Sequence, residues 1–174
     1  MPTQLSKPEQ LKQFLTRLGE ACPQPARLYL FGGSALLLMG GQRRTADIDY
    51  SVDERSGDEV RRAIAQVAAE MDLDVEESVP AEFTPLPAGA ADRHQLIGQF
   101  GSLEAFVLDP YSIAVMKIDR AFEADMEDVA FLVRGGHVDL AFLEQCVEDV
   151  AGRYDEPIRL RRNFAEFKRG LANL

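Results

Sequence analysis

The 174-residue chain is poor in the residues and runs that usually announce a function: two cysteines, two histidines and four lysines, with no apolar run near the roughly 20 residues of a membrane span. Cys22 and Cys146 form no metal-ligand spacing and no disulfide framework. His94 and His137 lack ligand partners at useful spacing and read as structural or surface residues. The opening "MPTQLSKPEQ" is polar and has no apolar core of a signal peptide, so a reduced, cytoplasmic setting without membrane contact is the expectation. The dinucleotide pattern G-x-G-x-x-G is missing, as is the G-K-[ST] of a P-loop. No internal repeat or low-complexity tract occurs. Basic residues are also in short supply: the net charge is −10, which disfavours non-specific nucleic-acid binding over the whole surface but leaves room for a local basic groove or a metal-bridged nucleotide.

What is present suits one well-buried domain, with or without a small appendage. "SKPEQLKQFLTRLGEAC" reads as a helix, with Ser6 and Glu9 as a capping box and Leu11, Phe14, Leu15 and Leu18 as its apolar stripe. "PQPARLYLF" enters a short buried strand, and "SALLLMGG" is a short helix ended by Gly40-Gly41. "TADIDYSV" alternates as a strand, with Ile48, Tyr50 and Val52 on one face and Asp47 and Asp49 on the other. Ser56 and Glu59 are expected to cap a second amphipathic helix, followed by a short strand in "LDVEESV". The run "PAEFTPLPAGAADR" is loop-like, and its length suggests a lid or substrate loop. "HQLIGQF" and "LEAFVL" read as paired strands. Asp109 and Pro110 then open a helix predicted to run to Gly135-Gly136, and two further helices follow, the last with Ile158, Leu160, Phe164, Phe167 and Leu171 apolar. This is an α+β plan, a small mixed sheet flanked by helices with C-terminal helices beyond it.

Two features in residues 31–50 carry chemistry. A strand, then Gly32-Gly33-Ser34, then a helix presents free backbone N–H groups that suit a phosphate, although such a turn is also ordinary structure. Asp47 and Asp49, at i and i+2 on a strand, project from one face about 6.5–7 Å apart along the chain. A shared divalent cation would relieve their repulsion; a solvated acidic edge is the other reading. In combination, "FGGS", twelve residues and "DIDY" resemble the pattern of the DNA polymerase β-like nucleotidyltransferase superfamily. The resemblance implies phosphate binding at Gly32, Gly33 and Ser34, and Mg²⁺ or Mn²⁺ binding by Asp47 and Asp49. Two departures matter. "ALLLMGG" has no arginine after the turn, so Arg43 or Arg44 is the substitute, and the third metal carboxylate is not obvious, with Glu104 as the candidate.

Within the helix predicted over 110–134, Val115, Ile118, Phe122, Met126, Val129 and Val133 form an apolar stripe. Lys117, Arg120, Asp125 and Asp128 then share roughly the opposite side, within an arc of about 140°. Asp125 and Asp128 are like charges at i, i+3 with no cation three or four residues before them, so a partner from outside the helix is expected, a solvated face being the alternative. This block resembles the K-x-x-R-x-x-x-x-D-x-x-D segment of nucleotidyltransferase-like proteins related to the AbiEii toxins, including the DUF6036 group. By that resemblance Lys117, with Arg120, would contact nucleotide phosphate, and Asp125 or Asp128 would act as base or positioning residue. "RLRR", residues 159–162, is either a solvated or salt-bridged helix face or a basic contact for an RNA acceptor.

The resulting expectation is a nucleotidyltransferase-like core over residues 1–136 and a helical extension over 137–174 packed on it. The activity implied is transfer of an NMP from an NTP to a hydroxyl of RNA, tRNA included, or protein, as a toxin with a possible cognate antitoxin. The alternative is a catalytically silent module of the same fold, serving as a binding or antitoxin-like protein.

Overall fold

A computed structural model describes residues 1–173, which divide into two units. The first comprises Met1–Ser78 and Gln95–Leu108; the second comprises Val79–His94 and the chain from Asp109 onward.

The first unit is built on a mixed five-stranded sheet. Its strands are β1 (Ala26–Phe31), β2 (Asp47–Val52), β3 (Asp74–Glu77), β4 (Gln95–Phe100) and β5 (Leu103–Val107), in the order β3-β2-β1-β5-β4. β1 pairs antiparallel with β2 and parallel with β5, while β3 runs parallel to β2 and β4 antiparallel to β5. Three helices belong to it: α1 (Pro8–Ala21), α2 (Gly32–Leu38) and α3 (Asp58–Glu70). The α+β architecture is therefore the one expected, with a mixed sheet and flanking helices. Alternation on β2 buries Ile48, Tyr50 and Val52 and leaves Asp47 and Asp49 half-buried on the other side. Leu11, Phe14, Leu15 and Leu18 of α1 and Val60, Ile64 and Val67 of α3 join Leu28, Leu30 and Ile48 in the core.

Two predicted caps shift by one residue. Gln10, not Glu9, reaches back over the start of α1, its Oε1 accepting from the Ser6 and Lys7 backbone N–H groups at 2.9 and 3.0 Å. Gly57 occupies the N-cap of α3, and the Ser56 carbonyl accepts from Arg61 instead.

The second unit holds α4 (Pro80–Phe83), a single 3₁₀ turn (Ala90–Arg93), α5 (Pro110–Arg120), α6 (Glu123–Arg134), α7 (Leu140–Ala151) and α8 (Pro157–Ala172). The run over 80–93 is thus partly regular. It is tied down by the Ala88 N–H donating to Asp149 at 2.8 Å, Arg153 donating to the Leu86 carbonyl at 2.9 Å, and Arg93 donating twice to Asp109. Asp109 caps α5 as expected, accepting from the Tyr111 and Ser112 N–H groups and the Ser112 hydroxyl.

The predicted helix over 110–134 is two helices. Ala121 adopts φ 58, ψ 31, a left-handed C-cap that stops α5, and Phe122 starts α6. The break changes the helical phase, so the apolar stripe does not continue: Phe122 is 64% exposed, while Asp125 and Asp128 turn inward at 1% and 6%. Ile158, read as part of the apolar side of α8, is also exposed, at 79%; Leu160, Phe164 and Phe167 make the contact side. Among the described residues, no helix is long and apolar enough to cross a membrane.

Candidate functional site

Parallel pairing of β2 with β3 puts Asp47 opposite Asp74 and Asp49 opposite Glu76. The acidic alternation of "DID" is therefore matched by that of "DVE" on the neighbouring strand. One carboxylate oxygen from each of Asp47, Asp49 and Glu76 lies within 4.8 Å of the others. An ion held by oxygens at about 2.0–2.6 Å separates opposite ligands by about 4–5 Å, so the three are close enough to share one. A set made only of carboxylate oxygens suits Mg²⁺ or Mn²⁺ and lacks the nitrogen or sulfur donors that favour zinc.

Glu76 was not singled out in the sequence; the visible signal was an i, i+2 acidic pair in a short predicted strand. Glu104, the candidate third carboxylate, is not among the three. It stands on β5 opposite Arg27 of β1 and accepts from the Arg27 Nε at 2.8 Å. The Arg27 guanidinium is raised above its ordinary pKa by that hydrogen bond and by the Glu104 charge.

The glycine turn is built around the aspartates. Phe31 of β1 pairs with Asp49 of β2, which brings the start of α2 beside the carboxylates. Gly32 has φ +63, and a Cβ there would sit 1.8 Å from Asp49 Oδ2. A Cβ on Gly33 would sit 2.6 Å from Thr45 Oγ1, and that hydroxyl donates to Asp47 at 3.2 Å. A Cβ at either position would force its neighbour to shift, and the backbone conformation of Gly32 favours glycine as well. Ser34 is fully buried, and its hydroxyl donates to the Phe31 carbonyl at 3.1 Å, so it fastens the turn to β1. Arg43 and Arg44 are exposed on the loop that leads into β2.

The other predicted residues collect in the second unit. The turn at Ala121 folds α6 against α5, so the partners of Asp125 and Asp128 are Lys117 and Arg120 from within the stretch 110–134, and not a group from outside it as expected. Lys117 Nζ lies 2.8 Å from Asp128 Oδ2 and 3.3 Å from Asp125 Oδ1. Arg120 donates to both oxygens of Asp125, at 2.8 and 2.6 Å, and the Phe122 N–H donates to the same carboxylate. Burial alone would raise the Asp125 pKa; the Arg120 hydrogen bonds and the Lys117 and Arg120 charges outweigh it and hold the carboxyl below its ordinary range. Lys117, Asp125 and Asp128 are buried, with exposures of 5%, 1% and 6%, and with the more exposed Arg120 they form an ion-pair set between α5 and α6.

The remaining candidates are structural in their contacts. His94 accepts the Asp109 N–H through Nδ1 at 2.9 Å. In "RLRR", Arg159 donates to Asp119 and Arg161 to Glu148, while Arg162 is exposed. Cys22 and Cys146 are both free and buried, and burial pushes the Cys146 thiol up to about 11.

No curated protein and no solved structure gives a match to the chain. The family described as "Nucleotidyltransferase of unknown function (DUF6036)" matches residues 8–170. With that match spanning nearly the whole length, around the paired acidic strands and the glycine turn, the chain belongs to the DUF6036 nucleotidyltransferase family.

Proposed function

We propose that the protein is a divalent-metal-dependent nucleotidyltransferase that moves an NMP from an NTP to a hydroxyl of RNA, including tRNA, or of protein. The observation that carries this reading is the convergence of Asp47, Asp49 and Glu76 on one point of a chain from this family. In the transfer the acceptor oxygen bonds to the α-phosphorus as the α–β phosphoanhydride bond breaks, pyrophosphate leaves with that bond's electron pair, and the hydroxyl proton passes to water. Mg²⁺ or Mn²⁺ held by the three carboxylates would neutralise phosphate charge and lower the pKa of the acceptor hydroxyl.

The chain's own contribution is orientation. Gly32 and Gly33 keep Cβ atoms out of the space beside the carboxylates, which lets nucleotide phosphate approach the backbone. Ser34 anchors that turn. Arg43 and Arg44, exposed on the adjoining loop, supply the positive charge that "ALLLMGG" lacks, and they are assigned to the triphosphate. Lys117, Arg120, Asp125 and Asp128 already satisfy one another, so their mutual pairing favours a structural clasp. Catalytic work for them rests on the family resemblance alone.

The toxin assignment, with a cognate antitoxin as partner, rests on the resemblance carried by the Lys117-to-Asp128 pattern, and the cytoplasmic setting rests on Cys22 and Cys146 both being free. Incubation with each labelled NTP, Mg²⁺ and total cell RNA plus protein tests the proposal. Label is expected in one macromolecular fraction and is expected to vanish with EDTA; no labelled fraction under any of the four nucleotides contradicts it.

A further inference from the structure

Thr45 lies just before β2, between the glycine turn and the paired aspartates. Its backbone is fixed by an isolated antiparallel bridge to Leu5: the Leu5 N–H donates to the Thr45 carbonyl at 2.9 Å, and the Thr45 N–H donates to the Leu5 carbonyl at 3.0 Å. Leu5 is 1% exposed, so the bridge is anchored in the core and not in a free N-terminal strand. From that fixed backbone the Thr45 hydroxyl stands 3.2 Å from both the Asp47 carbonyl oxygen and Asp47 Oδ1. On its other side it meets Gly33, where a Cβ would lie 2.6 Å from Oγ1 and 2.9 Å from the Thr45 Cβ.

We infer that Thr45 is the positioning residue of the metal site, its hydroxyl holding Asp47 Oδ1 so that Oδ2 is presented to a divalent cation. The inference rests on the metal-binding reading given above. A threonine suits the task because β-branching restricts its χ1 and because one hydroxyl hydrogen is enough to fix one carboxylate oxygen. Hydrogen bonds that orient a ligating carboxylate from behind are worth about 10–100-fold in metal affinity. A Cβ at position 33 would press on the Thr45 hydroxyl and disturb its hold on Asp47.

The test is titration of the full-length protein with Mn²⁺, read by electron paramagnetic resonance of the free ion, for wild type, Thr45→Val, Thr45→Ser and Asp47→Asn. Valine keeps the branched shape and removes the hydroxyl; serine keeps the hydroxyl. The expected result is a 10–100-fold weaker Mn²⁺ affinity for Thr45→Val, near-wild-type affinity for Thr45→Ser, and loss of binding for Asp47→Asn. Metal-free melting of the two Thr45 variants is expected to match, which separates positioning from folding. Equal affinity in wild type and Thr45→Val, with Asp47→Asn still defective, overturns the role of Thr45 and leaves the metal site standing. Equal weakening in the valine and serine variants also overturns it, because the hydroxyl would then be irrelevant. Absence of Mn²⁺ binding in the wild type overturns the metal-binding reading and this inference with it.

Discussion

Lys117 Nζ stands 2.8 Å from Asp128 Oδ2, and the two residues belong to different helices. The left-handed conformation of Ala121 makes this possible by ending α5 one turn after Lys117 and letting α6 return beside it. Replacing Lys117 by Met leaves Asp125 and Asp128 buried without their shared cation, and breaking such a buried pair costs about 3–5 kcal/mol. Urea unfolding is expected to report a loss of that size. Arg120 is 59% exposed at its own side chain but donates twice to the buried Asp125, so Arg120→Ala is expected to cost about 1–3 kcal/mol, less than Lys117→Met, which strips both carboxylates. Equal small losses for both would show that the clasp is not the joint between the helices.

Gly32 and Asp49 impose a similar dependence in the first unit. A side chain at Gly32 meets Asp49 Oδ2 at 1.8 Å in addition to the strain of φ +63, which costs an L-residue about 1–2 kcal/mol. Gly40 provides the control, with φ +98 and nothing within 4 Å of an added Cβ. Gly32→Ala is expected to weaken Mn²⁺ binding strongly and Gly40→Ala to leave it unchanged, although both are strained. Equal binding in the two variants would show that Asp49 has room to move aside without loss.

Glu76 and Glu104 make opposite predictions as the third carboxylate. Glu76→Gln is expected to lower Mn²⁺ affinity by at least about tenfold. Glu104→Gln, which only weakens a pair with Arg27, is expected to have no effect on binding. A reversal of that order would place the metal elsewhere.

These contrasts show where the sequence was legible. Strict alternation over residues 47–52 and the spacing of Leu11, Phe14, Leu15 and Leu18 survive folding because each element buries one face whatever its neighbour is. Asp109 was readable as a cap for the same local reason. Glu76 was not, because its place depends on β3 pairing parallel to β2, a long-range choice with no local signal. The split at Ala121 was hidden too. Alanine is a strong helix former, and "RAFEADME" carries no glycine or proline to mark a stop. The folded chain favours the break because it turns Asp125 and Asp128 toward Lys117 and Arg120, a pairing that a continuous helix denies them.

His94 gives the second unit a pH dependence. Burial, helped by the Arg93 charge and opposed by Asp109, holds its imidazole pKa below the ordinary value, and Nδ1 must stay unprotonated to accept the Asp109 N–H. The unfolded chain binds this proton near pH 6.5, whereas the folded chain resists it until lower pH. Its stabilising contribution is therefore complete above about pH 6.5 and is lost as the pH falls through 6.5 toward the folded value. Urea midpoints measured from pH 8 to pH 5 are expected to fall across that window. In His94→Asn the amide oxygen accepts the same N–H without titrating, and the fall is expected to flatten. An unchanged slope would remove His94 as its source.

The most direct test of the central claim compares wild type with Asp47→Asn in the labelled-NTP reaction with Mg²⁺ and total RNA plus protein. Asparagine preserves the size of the side chain and its acceptor oxygen toward Thr45 while removing the charge that holds the cation. The prediction is label transfer by the wild type and none by Asp47→Asn, with matching circular dichroism and melting for the two. Undiminished transfer by Asp47→Asn would contradict a metal site at Asp47, Asp49 and Glu76 as the origin of activity.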